Sequence, residues 1–179
     1  MKVLATLPLV LLTATIRADN LDTWFEASPD KKLLAVERRV ADSDKPARLN
    51  LDSSTLYVCA GLDDLPSGVV GQGAVRAQHT FTGLPPVQIR WSPDSKFLLL
   101  TTTSSGGHSP RHFWTFVFCV ADHSFRNVEA AAGGPIGAPD ISFEPPDVAL
   151  LKLYDPDSDT RKLIRLPLGK VMDQMHRLR

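Results

Sequence analysis

The chain has 179 residues, 43% hydrophobic and 22% charged, with 20 basic against 20 acidic side chains. Its length gives room for one domain, since domains run to roughly 100–200 residues, and its composition is that of a globular protein, neither disordered nor membrane-spanning. A formal net charge of zero excludes the long-range field that gathers nucleic acid.

The chain opens with Lys2, an almost unbroken apolar run from Val3 to Ile16, and Arg17-Ala18-Asp19. This order of charge, apolar stretch and small residue predicts a secretory signal over residues 1–18, cut after Ala18. The run of 14 residues contains Pro8 and falls short of the roughly 20 needed to span a bilayer. No cysteine follows it to take a lipid. The expectation is a secreted or periplasmic product, residues 19–179, free of the membrane. Without Lys2 and Arg17 it has 18 basic against 20 acidic residues, a net charge of −2.

Fourteen prolines against eleven glycines predict short elements joined by stiff turns. Internal similarity supplies the order of those elements. Ser28-Pro29-Asp30-Lys31-Lys32-Leu33-Leu34-Ala35-Val36 recurs 64 residues later as Ser92-Pro93-Asp94-Ser95-Lys96-Phe97-Leu98-Leu99-Leu100. A looser third copy runs from Phe143 to Leu151 and contains Pro145-Pro146-Asp147. In each, proline fixes the first corner, aspartate tolerates the second and bonds the backbone, and an apolar strand follows. A second strand is predicted after a polar loop in each copy: Thr55–Ala60, His112–Ala121 and Lys162–Leu168. The strand at His112–Ala121 is apolar on both parities, which predicts burial on both faces. The copies span approximately 21–80, 85–132 and 138–170, and Lys170–Arg179 reads as a short helix or a frayed tail.

Trp91-Ser92-Pro93-Asp94-Ser95-Lys96-Phe97-Leu98-Leu99 resembles the signature of TolB-type, WD-repeat-like beta-propeller blades. The resemblance implies that Trp91 ends an innermost strand, that Ser-Pro-Asp makes the turn, and that the next strand runs outward. The first copy has Ala27 in place of the tryptophan; the third has Phe143 there and one more proline. Closed propellers have four to eight blades. Two or three blades therefore predict a mainly β open fan, or a ring completed by a second copy, with a β-sandwich as the alternative.

Candidate chemistry is sparse. Cys59 and Cys119 fall at matching places in two copies. Matching points on neighbouring sheets lie about 10 Å apart, whereas a disulfide needs Cα atoms within roughly 4.4–6.8 Å, so two free buried thiols are expected. The polar loops Ala41–Ser54, Ser104–Arg111 and Asp155–Arg161 are predicted to emerge on one face. Their candidate binding residues are Asp42 and Asp44, His108 and His112, and Asp155, Asp157 and Asp159; Asp52 lies in the first loop. Asp155-Pro156-Asp157-Ser158-Asp159 has the alternate carboxylates of a calcium loop, but its sixth position is Thr160 and its twelfth Leu166. Pro110 breaks any helix that would align His108 with His112. Ser28 and Lys31 have the spacing of a serine–lysine pair but lie in a turn. Gly68, Gly71 and Gly73 do not have the spacing of a phosphate cradle. No metal and no cofactor is expected, and Trp24, Trp91 and Trp114 read as core residues.

The functional expectation is an exported, non-catalytic binding or scaffold protein making protein–protein contacts on its loop face or sheet edge. A homo-oligomer fits the missing blades, and no nucleic-acid partner is expected. The alternatives are a secreted hydrolase with a His/Asp site on the loop face and a structural calcium-binding module.

Overall fold

A computed structural model describes residues 23–41, 51–60, 75–104 and 112–177. The predicted signal over 1–18 and the candidates Asp42, Asp44 and His108 lie outside the described residues. Among the described residues no helix is long and apolar enough to cross a membrane.

The two Ser-Pro-Asp corners set the frame. Ser28 Oγ donates to Asp30 Oδ1 at 2.7 Å, and Ser92 Oγ donates to Asp94 Oδ1 at the same distance. The amides of Lys32 and Lys96 donate to those same carboxylate oxygens. The amides of Leu33 and Phe97 each donate to the serine Oγ at 3.0 Å. Lys31 and Ser95 both take φ of 61°, the left-handed conformation that closes the turn. Residues of one type at one spacing thus make one set of bonds, since all the partners lie within six residues.

These corners join antiparallel strands into three sheets, none of them closed. The first sheet has the order β1 (Thr23–Ala27), β2 (Leu33–Ala41), β3 (Leu51–Ala60) and β4 (Val75–Thr82). The second runs β5 (Pro86–Trp91), β6 (Phe97–Ser104), β7 (Phe113–Cys119) and β8 (Ser124–Asn127). The third comprises β9 (Ser142–Glu144), β10 (Val148–Asp155) and β11 (Thr160–Pro167). Short α1 (Glu129–Ala132) links the second sheet to the third, and α2 (Leu168–Arg177) follows β11. The fold is mainly β, as expected, and each sheet is a simple meander in chain order.

The middle sheet separates two cores. Leu98 and Leu100 of β6, with Phe118 of β7, pack on Ala35, Leu56, Val58 and Phe81 of the first sheet. Phe97 and Leu99, with Val117 and Cys119, pack on Ile141, Ala149, Leu151 and Leu166 of the third-sheet side. Alternation along a strand sends neighbours to opposite faces, and β6 is buried on both from Phe97 to Thr102. Leu168, Val171 and Met172 of α2 close the second core, at the spacing that puts residues on one helix face. Asp147 starts that helix by accepting from the Leu168 amide through its carbonyl and the Gly169 amide through its carboxylate.

Some boundaries differ from the sequence reading. Strand β3 begins at Leu51, so part of the expected first loop, Asp52 included, is strand. The third loop contracts because β11 begins at Thr160. Trp91 is buried, but Trp114 is 39% exposed because it stands near the open end of β7, beyond the sheet-to-sheet contact. Both cysteines are free and buried. Their places are one register step apart: Cys59 pairs with Leu34, whereas Cys119 pairs with Phe97, the counterpart of Leu33. They therefore face opposite directions from their sheets.

Candidate functional site

Strand direction gives the molecule two ends. At one, the three turns meet: the Asp30 amide donates to Ser95 Oγ at 3.0 Å, and the Asp94 amide donates to the Pro146 carbonyl at 3.3 Å. The β2–β3, β6–β7 and β10–β11 connections leave from the opposite end, which is the loop end. Of the expected binding residues, His112, Asp155, Asp157 and Asp159 are described there.

His112 is at the entrance to β7. Its Nε2 lies 2.5 Å from Glu129 Oε1 on α1, and its ring centroid lies 5.1 Å from that of Trp114. The Glu129 amide in turn donates to Asn127 Oδ1 at 2.8 Å. This polar anchoring holds an exposed indole in place.

The aspartates of the β10–β11 turn bond locally. Asp155 accepts from the Asp157 amide and the Ser158 hydroxyl, and Asp159 accepts from the Tyr154 hydroxyl at 3.0 Å. The Ser158 hydroxyl and the Asp157 amide hold the Asp155 carboxyl below its ordinary range. The bond to Asp159 pushes the Tyr154 phenol up. The carboxylates serve separate partners, and no group of three or more His, Cys, Asp or Glu placed to hold a metal occurs among the described residues.

A second feature lies between β1 and β2 of the first sheet and β5 of the second. A cleft of about 440 Å³ is lined by Glu26, Glu37, Arg39 and the β5 residues from Pro86 to Arg90. Register places Glu26 opposite Ala35, so Glu26, Ala35 and Glu37 share the face of the first sheet that meets the second. Glu37 is only 2% exposed. Arg39 Nε donates to its Oε1 at 2.9 Å and Arg39 Nη2 to its Oε2 at 3.2 Å, while Ser54 Oγ donates to Oε1 at 2.8 Å. Arg39 Nη2 also reaches the Pro86 carbonyl at 2.9 Å and so bridges the two sheets. Such a forked pair satisfies a buried carboxylate far better than one ammonium would.

Glu26 is held differently. Burial is the main influence on its carboxyl and raises its pKa from 4.5 to about 6, against the pull of Arg90 and a bond from the Trp91 amide. Its Oε2 is buried with no hydrogen-bond partner among the described residues.

None of Glu26, Glu37, Arg39, Gln88 and Arg90 stands out from composition or motif. The available signal was the alternation Ala35-x-Glu37-x-Arg39 inside an apolar strand, which places charge on a face that must be buried. Comparison with family models, with curated proteins and with solved structures gave no match to this chain.

Proposed function

We propose that this chain is an exported binding module built from TolB-like blades, acting through protein contacts at its loop end and not through catalysis. The observation that carries this reading is Trp114: a large indole, 39% exposed, held against the His112–Glu129 pair where the connections leave the sheets. Ordering an aromatic side chain in solvent costs entropy unless a partner covers it, and Trp is enriched among the residues that dominate interfaces. Val87 at the start of β5, 49% exposed, and Leu163 of β11, 59% exposed, add apolar area. Loops and strand ends on a rigid scaffold are the usual location of such contacts.

The test compares proteins captured from the extracellular or periplasmic fraction by the wild-type chain, by Trp114→Ala, and by Lys32→Ala at the turn end. A species retained by the wild type and Lys32→Ala but lost with Trp114→Ala supports the reading. Identical capture by all three removes the loop end as the binding face.

A further inference from the structure

The third sheet stops one strand short of the other two. In those, β3 and β7 are covered by β4 and β8. Their counterpart β11 is bonded to β10 on one side and, among the described residues, to no strand on the other. The chain leaves β11 into α2, whose Leu168, Val171 and Met172 enter the core and leave that edge open. Which groups face the edge follows from β10. The Lys152 carbonyl accepts from the Gly137 amide at 2.8 Å, and the Tyr154 amide donates to the Pro135 carbonyl at 3.0 Å. Both residues therefore turn their main chain away from β11. Facing residues of an antiparallel pair exchange both bonds or neither, in alternation. Lys152 faces Leu163, Tyr154 faces Arg161 and Leu150 faces Arg165. Arg161, Leu163 and Arg165 thus point their amides and carbonyls at the open edge, where an incoming strand satisfies them. Leu163, 59% exposed, is the most exposed large apolar side chain among the described residues and lies between the two arginines. We infer that β11 takes an extended acidic segment of another protein as the fourth strand of its sheet, paired through the main chain of Arg161, Leu163 and Arg165.

Position along the edge selects the occupant. Two copies joined through β11 about Leu163 would set Arg161 of each directly opposite Arg165 of the other, and like charges so placed repel. A strand with a carboxylate opposite each arginine and an apolar residue opposite Leu163 complements all three positions, in the pattern Glu-x-Val-x-Glu. Arg165 is already bonded to Glu144 across β10, and Lys162, on the other face, is drawn to Asp155. Arg161 makes no ion pair among the described residues, so the contact opposite it discriminates most. Asp157 and Asp159 belong to the turn before Thr160 and bound the acidic stretch at one end. Pro167 has no amide to give and bounds the pairing at the other. The inference rests on this edge alone and is independent of the role given to Trp114.

Fluorescence anisotropy of a labelled, blocked Thr-Glu-Thr-Val-Thr-Glu-Thr peptide titrated with the full chain is expected to show saturable one-to-one binding. Leu163→Pro removes an outward amide and no bond to β10, a place where an edge strand tolerates proline, and weakens binding about tenfold or more. Leu163→Thr keeps the amide and weakens it no more than about threefold. The same peptide with lysine for both glutamates binds about tenfold more weakly, and Arg161→Glu narrows that difference. Equal affinity of wild type and Leu163→Pro, equal affinity for the two peptides, or no saturable binding at millimolar concentrations overturns the inference. A dimer in sedimentation that Leu163→Pro dissolves overturns it in favour of a second copy. Should Leu163→Pro fail to fold, N-methylated peptides on the wild type decide it. Methylation of the valine nitrogen, which must face β11, abolishes binding, and methylation of the next threonine nitrogen spares it. Equal binding of these two peptides overturns the inference as well.

Discussion

Trp91 holds Glu26 from two sides: its indole Nε1–H donates to the Glu26 carbonyl at 3.0 Å, and its own amide donates to the Glu26 carboxylate. One buried residue of the second sheet thereby fixes both the backbone and the side chain of a residue in the first. Trp91→Phe keeps a ring in the core but removes the indole donor and leaves a void. The expected cost is about 2 kcal/mol in urea unfolding.

Glu26 contributes a pH dependence opposite in sign to that of most carboxyls. Its folded pKa of about 6 lies above the ordinary 4.5, so between these values the folded state binds more protons than the unfolded state. Stability from this group is fully present below about pH 4.5 and is lost as pH rises through about 6. Glu26→Gln is expected to flatten that limb and to stabilise the protein at neutral pH by about 1 kcal/mol, after allowance for solvent screening of a partly exposed group. Urea midpoints measured from pH 4 to 8 for both proteins check it.

The turn aspartates behave in the usual direction. The Ser28 hydroxyl and the Lys32 amide hold the Asp30 carboxyl below its ordinary range. Burial pushes Asp94 up, but bonds from Ser92 and from the Lys96 amide and ammonium outweigh it and leave the carboxyl low. With depressed folded values, their stabilisation is present above the ordinary value near 3.8 and is lost as pH falls through the folded ones. Asp94→Asn keeps the accepting oxygen and removes the titration, so its acid-unfolding limb below about pH 4 is expected to be shallower than that of the wild type.

Arg39→Met strands a carboxylate that is 2% exposed and removes the bridge to Pro86. The expected loss is about 3–5 kcal/mol. The pair Glu37→Leu with Arg39→Met is expected to recover most of it, the residue of the loss falling on Ser54, whose hydroxyl loses its acceptor. A double-mutant cycle by chemical denaturation measures the coupling.

Gly137 lies where the chain crosses the third sheet, its amide donating to the Lys152 carbonyl at 2.8 Å. A Cβ there would come within 2.9 Å of Tyr154 Cβ and 3.1 Å of its backbone nitrogen. Gly137→Ala must displace backbone and is expected to cost about 1–3 kcal/mol, read as a lowered melting temperature.

Legibility in the sequence followed the range of the interactions. The Ser28 and Ser92 corners are closed by bonds within six residues, so the motif specifies them and the strands that leave them. The two cysteines show where such reading stops. Both lie in the second strand after a turn, yet a difference of one register step turns Cys59 and Cys119 to opposite faces, and only pairing with Leu34 and Phe97 reveals it. Glu26 and Glu37 are unmarked in the sequence for a related reason: their chemistry comes from which face of the first sheet meets the second, a contact between residues more than 45 apart. Trp91 on β5 and Trp114 on β7 are the same residue type in one sheet, and position along the strand decides that one is core and the other surface.

The adjacency of Leu98 and Leu99 has a mechanical consequence. These two leucines are joined by one peptide bond and belong to different cores, so a backbone shift that relieves crowding around one compresses the packing around the other. Close-packed interiors resist such trade-offs, which makes β6 the stiff datum from which both outer sheets take their position. Enlarging one leucine and trimming the other therefore does not restore the balance, whereas a further sheet stacked on either flank would leave this datum undisturbed.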